Sequence, residues 1–116
     1  MQGITDKNVL ITAGATGIGK ATAIALMDAG ARVHVCDIDA LALDNFKQDY
    51  PQLYTSVTNV AEPDAVEAMF EAVQKNFSGK LDFLVNNAGV SGPAGPLESL
   101  DIEDWKATFD VNLHAT

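Results

Sequence analysis

Apolar runs alternate with amphipathic segments along most of the chain. Runs rich in Val, Ile and Leu predict strands, and apolar positions that recur every three or four residues predict helices. The predicted strands are residues 8–12, 32–36, 53–57 and 82–86, and the predicted helices are residues 17–29, 40–49, 63–77 and 102–116. This alternation predicts an α/β fold in which helices cover both faces of a parallel sheet. Right-handed crossovers give the strand order 3-2-1-4, which leaves the fourth strand as an apolar edge.

Two of the predicted helices carry an apolar stripe that we expect to face the sheet. The stripe of the first helix comprises Ile18, Ala21, Thr22, Ala25, Leu26 and Ala29. The stripe of the third helix comprises Val66, Met69, Phe70, Val73 and Phe77. After the fourth strand, the Gly and Pro residues within 91–96 predict a loop.

A glycine-rich turn joins the first predicted strand to the first predicted helix. It contains Gly14, Gly17 and Gly19 in the spacing Gly-x-x-Gly-x-Gly, which differs from the Gly-x-Gly-x-x-Gly dinucleotide fingerprint. The N–H groups and the dipole of a helix N-terminus favour an anion, and glycines let the backbone approach it closely. The turn is therefore a candidate phosphate site, and a merely flexible turn is the alternative. Thr16 can close the turn through its hydroxyl or cap the helix.

Asp37 follows the second predicted strand, 18 positions after Gly19. This spacing is close to that of the acid which binds the adenosine ribose in dinucleotide-binding folds. A carboxylate accepts hydrogen bonds from both ribose hydroxyls and repels a 2′-phosphate, and Thr16 supplies no cation for that phosphate. Asp37 therefore predicts NAD rather than NADP, unless it is simply a solvated acid at a strand end.

The fourth predicted strand runs directly into Asn86, Asn87, Ala88 and Gly89. The paired amides can bond the backbone of neighbouring loops. The two small residues after them allow a ribose or a nicotinamide ring to lie against the chain.

Together these motifs resemble the short-chain dehydrogenase/reductase family. The family's N-terminal half has Thr-Gly-x-x-x-Gly-x-Gly, an acid after strand two, Asp/Asn-Val after strand three, Asn-Asn-Ala-Gly after strand four and a helix asparagine. This chain matches with Thr12 to Gly19, Asp37, Asn59-Val60, Asn86 to Gly89 and Asn112. The resemblance covers nearly the whole chain and implies a Rossmann-type fold. Ala13 departs from it, because it occupies the place of the family's first glycine, and alanine disfavours positive φ.

The resemblance assigns a role in cofactor binding or catalysis to each matching position. The resemblance implies that the pyrophosphate lies over the glycine turn, in contact with Ile18. It also implies that Ile38 packs against one side of the adenine ring and that Asn59 and Val60 lie beside that ring. A turn residue with local backbone bonds is the alternative for Asn59. The cofactor-binding set is Gly14, Thr16, Gly17, Ile18, Gly19, Asp37, Ile38, Asn59, Val60, Asn87, Ala88 and Gly89.

Asn112 is the one member of the family's catalytic set that this chain contains. It lies on the apolar stripe of the last predicted helix, seven positions after Trp105. The resemblance implies that Asn112 bends this helix and holds a water of the proton relay. A buried amide bonded only to backbone is the alternative, because a buried amide must find partners in either case.

The resemblance implies an NAD-dependent oxidoreductase that moves a hydride between nicotinamide and a small-molecule alcohol or ketone. The family's catalytic serine and Tyr-x-x-x-Lys are not present: the residue four positions after Tyr50 is Tyr54, and the residue four after Tyr54 is Thr58. We therefore expect residues 1–116 to be a single NAD-binding domain, truncated within the helix after strand four, without its catalytic half and inactive alone. The alternatives are a non-catalytic nucleotide-binding or sensor module that ends naturally near residue 116, or a structural fragment without a ligand.

The composition narrows the possible partners. The 116 residues carry a net charge of −9, which argues against binding to nucleic acid or to anionic membranes. The single cysteine, Cys36, predicts a small buried hydrophobe and fits a reducing compartment.

Neither a signal peptide nor a membrane span is evident, so we expect a cytoplasmic protein. His34 and His114 lie far apart and without metal-ligand spacing, so we expect no metal. The resemblance also implies that the full-length protein is a homo-oligomer.

Overall fold

The computed structural model describes residues 4–86 and 95–101. The elements in chain order are β1 Asn8–Thr12, α1 Gly17–Asp28, β2 Arg32–Asp37, α2 Ala40–Asp49, β3 Tyr54–Val57, α3 Pro63–Phe77, β4 Lys80–Asn86 and β5 Gly95–Asp101. The first seven elements confirm the predicted strands and helices to within two residues at each end. The predicted helix over 102–116 lies outside the described residues.

The sheet has the order β3-β2-β1-β4-β5, and β1 pairs in parallel with both β2 and β4. The four parallel strands confirm the predicted order 3-2-1-4. The chain first builds the sheet outward on one side of β1 and then crosses to the other side for β4. This reversal makes the carboxyl ends of β1 and β4 the switch point where doubly wound folds bind their ligands.

The prediction that the fourth strand is an uncovered edge is wrong, because β5 pairs with it in antiparallel orientation. The pairing runs from Lys80 opposite Asp101 to Leu84 opposite Gly95, with an irregularity between Leu81 and Phe83. An open strand edge presents unpaired N–H and C=O groups, and a returning segment can satisfy them. The Gly and Pro residues suggested only a loop, but a proline is compatible with a strand at the edge of a sheet.

Two apolar layers cover the faces of the sheet, as the alternation along β1 shows. Val9 and Ile11 pack with residues of α1 and α2, whereas Leu10 packs with residues of α3. All three side chains are fully buried, as expected for a parallel strand covered on both faces. Cys36 lies in the α3 layer, where burial raises the pKa of its thiol to about 12, so the cysteine is the predicted buried hydrophobe.

The two predicted apolar stripes have different outcomes. All five stripe residues of α3 are buried, which confirms that prediction. In α1 only Leu26 of the predicted stripe is buried, and Ile18 is 80% exposed. The face that packs on the sheet instead carries Gly19, Ala23, Leu26 and Met27. Most of α1 is small or apolar, so its sequence pattern left the orientation open, and small residues let this helix approach the strands closely.

The buried histidine of β2 forms a polar link between the sheet and α3. His34 Nε2 lies 2.7 Å from Ser56 Oγ, and its Nδ1 lies 3.4 Å from Asn76 Nδ2. An imidazole with Nε2–H donating to the hydroxyl and Nδ1 accepting from the amide satisfies both contacts. Burial, together with the positive charge of Lys47, lowers the pKa of His34 from 6.5 to about 4. The folded chain therefore favours the neutral ring.

The turn after β1 contains a residue in a costly backbone conformation. Ala13 has a φ of 54°, in the left-handed region that costs a residue with a Cβ about 1–2 kcal/mol. The departure from the family pattern therefore falls on a position where glycine would relieve strain. The surrounding turn must hold Ala13 in this conformation.

We expect the chain to lose stability as the pH falls from about 6.5 to about 4, because the unfolded His34 takes up a proton that the folded one refuses. The full effect amounts to about 3 kcal/mol. It is absent above the unfolded pKa and complete below the folded one. The measurement is the free energy of unfolding by urea against pH, for the wild-type chain and His34→Gln. A parallel decline of both chains across this range would contradict the assignment.

We expect Ala13→Gly to raise the free energy of unfolding by about 0.5–1 kcal/mol, since relief of strain exceeds the greater entropy of an unfolded glycine. Ala25→Gly is the matched control, because Ala25 is exposed within α1 and glycine there costs about 1 kcal/mol. Urea unfolding of the three chains gives the comparison. Equal losses in both variants would show that position 13 carries no strain.

Candidate functional site

A cleft opens at the carboxyl edge of the sheet, next to the end of β2. Its volume is about 150 Å³, and it is lined by Ala13, Asp37, Ile38, Thr58, Asn59 and Val60. Four of these residues belong to the cofactor-binding set proposed from the sequence. The parallel pairing of β2 with β3 brings them together, because both strands end at this edge.

The first glycine of the turn packs against the core. Gly14 donates its N–H to the Cys36 carbonyl oxygen at 3.3 Å. A Cβ on Gly14 would lie 2.7 Å from Val35 Cγ1 and 3.1 Å from Ile11 Cγ2, so a side chain here would displace the turn. The close approach of the turn to β2 therefore requires this glycine.

The second half of the turn forms the N-terminus of α1. Thr16 is the N-cap: its carbonyl accepts from the Lys20 N–H at 3.3 Å, and its hydroxyl caps no N–H among the described residues. Gly17 has a φ of 59°, and no described atom lies within 4 Å of the Cβ it lacks. The first N–H groups of a helix have no intrahelical acceptor. Gly17, Ile18 and Gly19 thus present an open helix N-terminus, with the Ile18 side chain exposed beside it.

Asp37 makes three hydrogen bonds that join three loops. Its Oδ2 accepts from the Ala15 N–H at 3.0 Å, and its Oδ1 accepts from the Asp39 N–H at 3.0 Å. Its backbone carbonyl accepts from the Thr58 N–H at 2.8 Å. Asp37 is half-buried, and a carboxylate has about four lone-pair positions. Two acceptor positions therefore remain beyond the bonds to Ala15 and Asp39.

The opposite walls of the cleft are apolar and amide in character. Ile38 is 67% exposed, which leaves its side chain open as a flat apolar surface. Asn59 Oδ1 accepts from the Ala61 N–H at 3.0 Å. This bond is the local turn considered for Asn59, and it leaves the Asn59 NH₂ group as a donor. Val60 packs beside the α3 layer.

The remaining site residues predicted from the sequence, Asn87, Ala88, Gly89 and Asn112, lie outside the described residues. The sequence did not indicate Ala15, whose N–H bonds Asp37, or Thr58, which is buried at the cleft. The position of Thr58 directly after the third strand was the available signal. Ala15 had none, because its role lies in a backbone N–H that every residue except proline carries.

Two further structural findings concern metals and membranes. In the part of the chain that the structure describes, no three His, Cys, Asp or Glu side chains come together as a metal cluster. Within the same residues, no helix combines the length and the apolar character that a bilayer crossing needs.

Comparison with known proteins places these features in a family. The family model for short chain dehydrogenases matches residues 7–116. A short chain dehydrogenase/reductase of Colletotrichum higginsianum is 36% identical over 117 residues, which cover 97% of this chain and 43% of that protein. A cyclohexanol dehydrogenase of an Acinetobacter species is 37% identical over 114 residues, which cover 95% of this chain and 45% of that protein. The chain thus spans less than half the length of these two relatives.

A solved structure shows the same architecture. The 3-ketoacyl-(acyl-carrier-protein) reductase of Brucella melitensis, complexed with NADH, matches with a TM-score of 0.71 and 26% identity. The match covers 97% of this chain and 47% of that one. The chain belongs to the short-chain dehydrogenase family of oxidoreductases.

Proposed function

We propose that this chain binds NAD and forms the cofactor-binding portion of an oxidoreductase that acts on CH–OH groups. The observation that carries the proposal is the position of the Asp37 carboxylate, which lies at the cleft and is bonded to the glycine turn at Ala15. A single dinucleotide can contact both features, because its pyrophosphate and its adenosine ribose are adjacent. Reversible hydride transfer at its nicotinamide ring is the chemistry that bound NAD supplies.

The residues at the carboxyl edge fit the parts of such a cofactor. The open N-terminus of α1 offers N–H groups and a positive dipole end to the pyrophosphate. Asp37 has two acceptor positions for the two ribose hydroxyls, and Ile38 offers an apolar surface to the adenine ring. The Asn59 NH₂ group donates to a ring nitrogen of adenine, since its carbonyl already serves Ala61.

Charge supports NAD over NADP at this site. A 2′-phosphate would lie against the carboxylate of Asp37, and Thr16 in the neighbouring turn carries no positive charge. The Brucella melitensis reductase, which was solved with NADH, gives independent support for a nicotinamide cofactor in this fold.

The substrate proposal is coarser, since it rests on relatives. The name of the Acinetobacter enzyme indicates an alcohol substrate, so we propose a small-molecule alcohol or ketone. We assign the residues 87–89 to the nicotinamide side of the site, and Asn112 to the proton relay. We also propose a homo-oligomer located in the cytoplasm for the full-length protein.

We expect NAD to bind more tightly than NADP by about 1–3 kcal/mol, the range for a buried polar group placed against the wrong partner. Calorimetric titration of the chain with both cofactors measures the difference. Asp37→Ala should narrow the difference. Asp44→Asn is its matched control, because Asp44 is exposed on α2 and this substitution also removes one negative charge but leaves the cleft unchanged. Equal or tighter binding of NADP by the wild-type chain would refute the assignment.

We expect the 116-residue chain to show no dehydrogenase activity by itself. It contains no Tyr-x-x-x-Lys, and a positioned acid or base supplies about 10²–10⁴-fold of a typical rate. The assay follows NADH absorbance with a panel of secondary alcohols at saturating NAD. Binding of NAD without turnover is the expected result, whereas turnover by the purified chain would overturn this view of the mechanism.

A further inference from the structure

Two hydrogen bonds join the glycine turn to the end of β2, and one of them uses the Asp37 carboxylate. Consecutive N–H groups of the turn bond to the end of β2: Gly14 N–H to the Cys36 carbonyl and Ala15 N–H to Asp37 Oδ2. The first of these bonds is 3.3 Å long and the second 3.0 Å. The second is also charge-assisted, which makes it the stronger of the two.

The turn needs such an anchor because two of its residues have positive φ. Ala13 at 54° and Gly17 at 59° bracket the bonded Ala15. A strained alanine persists only where its surroundings hold it in place. The carboxylate of Asp37 acts on the segment between these two positions, so it opposes relaxation of the turn.

The same bond divides the donors of the turn into two groups. The N–H groups of Gly14 and Ala15 bond to the protein, while those of Gly17 to Gly19 begin α1 and lack intrahelical acceptors. The negative charge of Asp37 therefore lies on the β2 side of the turn, and the anion site lies on the helix side. One carboxylate can orient the turn without bonding to the donors that an anion needs.

We infer that Asp37 is a positioning residue for the glycine turn, in addition to its contact with the ribose. The inference rests on the proposed NAD site and changes what removal of this side chain should do. If Asp37 only selected the ribose, Asp37→Ala would weaken NAD and spare a cofactor without the ribose hydroxyls. As a positioning residue, its loss weakens binding of every dinucleotide that uses the turn.

The test of order in the turn uses the chain without cofactor. Amide hydrogen exchange followed by NMR compares Ala15 in the wild type, Asp37→Ala and Asp37→Asn. We expect exchange at Ala15 to be about tenfold faster in Asp37→Ala, the equivalent of one lost hydrogen bond. Asp37→Asn keeps one acceptor oxygen for the two N–H groups of Ala15 and Asp39, so we expect an intermediate exchange rate at Ala15. Asp39→Ala is the matched control, since the Asp39 side chain caps Ala42 in α2 and not the turn.

The test of function uses an NAD analogue with a 2′,3′-dideoxyadenosine ribose. We expect Asp37→Ala to bind this analogue about fivefold to tenfold more weakly than the wild type does. Asp37→Asn should bind the analogue with an affinity between those of the wild type and Asp37→Ala, while Asp39→Ala binds it as the wild type does.

Unchanged exchange at Ala15 in Asp37→Ala, or equal binding of the dideoxy analogue by the wild type and Asp37→Ala, would overturn the positioning role. If Asp37→Ala fails to fold, Asp37→Asn decides: faster exchange at Ala15 than in the wild type, together with weaker binding of the analogue, supports the role, and wild-type values of both overturn it. Failure of the wild-type chain to bind NAD at all would refute the proposed function, and the exchange comparison would still decide the role of Asp37 in the turn.

Discussion

Parallel pairing of β1 on both of its edges is the constraint on which the rest of the structure depends. Because β2 and β4 both run alongside β1 in the same direction, their carboxyl ends lie at one edge of the sheet. Every described residue of the candidate site ends a strand at that edge, follows one, or begins a helix there. Burial of β1 on both faces fixes this arrangement, since any slip in register would expose apolar side chains or bury polar ones.

The sheet also explains why few side chains are needed at the site. The turn after β1, the end of β2 and the segment after β3 meet largely through backbone groups. Asp37 joins all three, because its carboxylate bonds the turn at Ala15 and its backbone carbonyl bonds Thr58. In the proposed cofactor site, the apolar and amide groups around the cleft would add selectivity for a ring and its substituents. Such a site depends more on backbone shape than on the number of polar residues.

The sequence predicted those features that large side chains or fixed spacings determine. The stripe of α3 was clear because its members are bulky. Asp37 was proposed from its spacing after the glycine turn, and Asn59 and Val60 from the family resemblance. The packed face of α1 could not be predicted, because Gly19 and Ala23 are buried through their small size, which carries little periodic signal. The pairing of β5 with β4 could not be predicted, because tertiary contacts decide which segment covers the edge of β4. The bond from Ala15 to Asp37 depends on the direction of a single N–H, which the turn's φ angles set.

The contact between Gly14 and the core has a consequence for how such a site can evolve or be engineered. Because Gly14 lies directly against Val35 and Ile11, no further side chain separates the core from the turn proposed to bind the pyrophosphate. Exchanges among aliphatic residues at positions 11 and 35 would raise, lower or tilt the turn by fractions of an ångström. Substitutions in the interior of the sheet can therefore change binding at the proposed site, even when every residue on the binding surface stays the same.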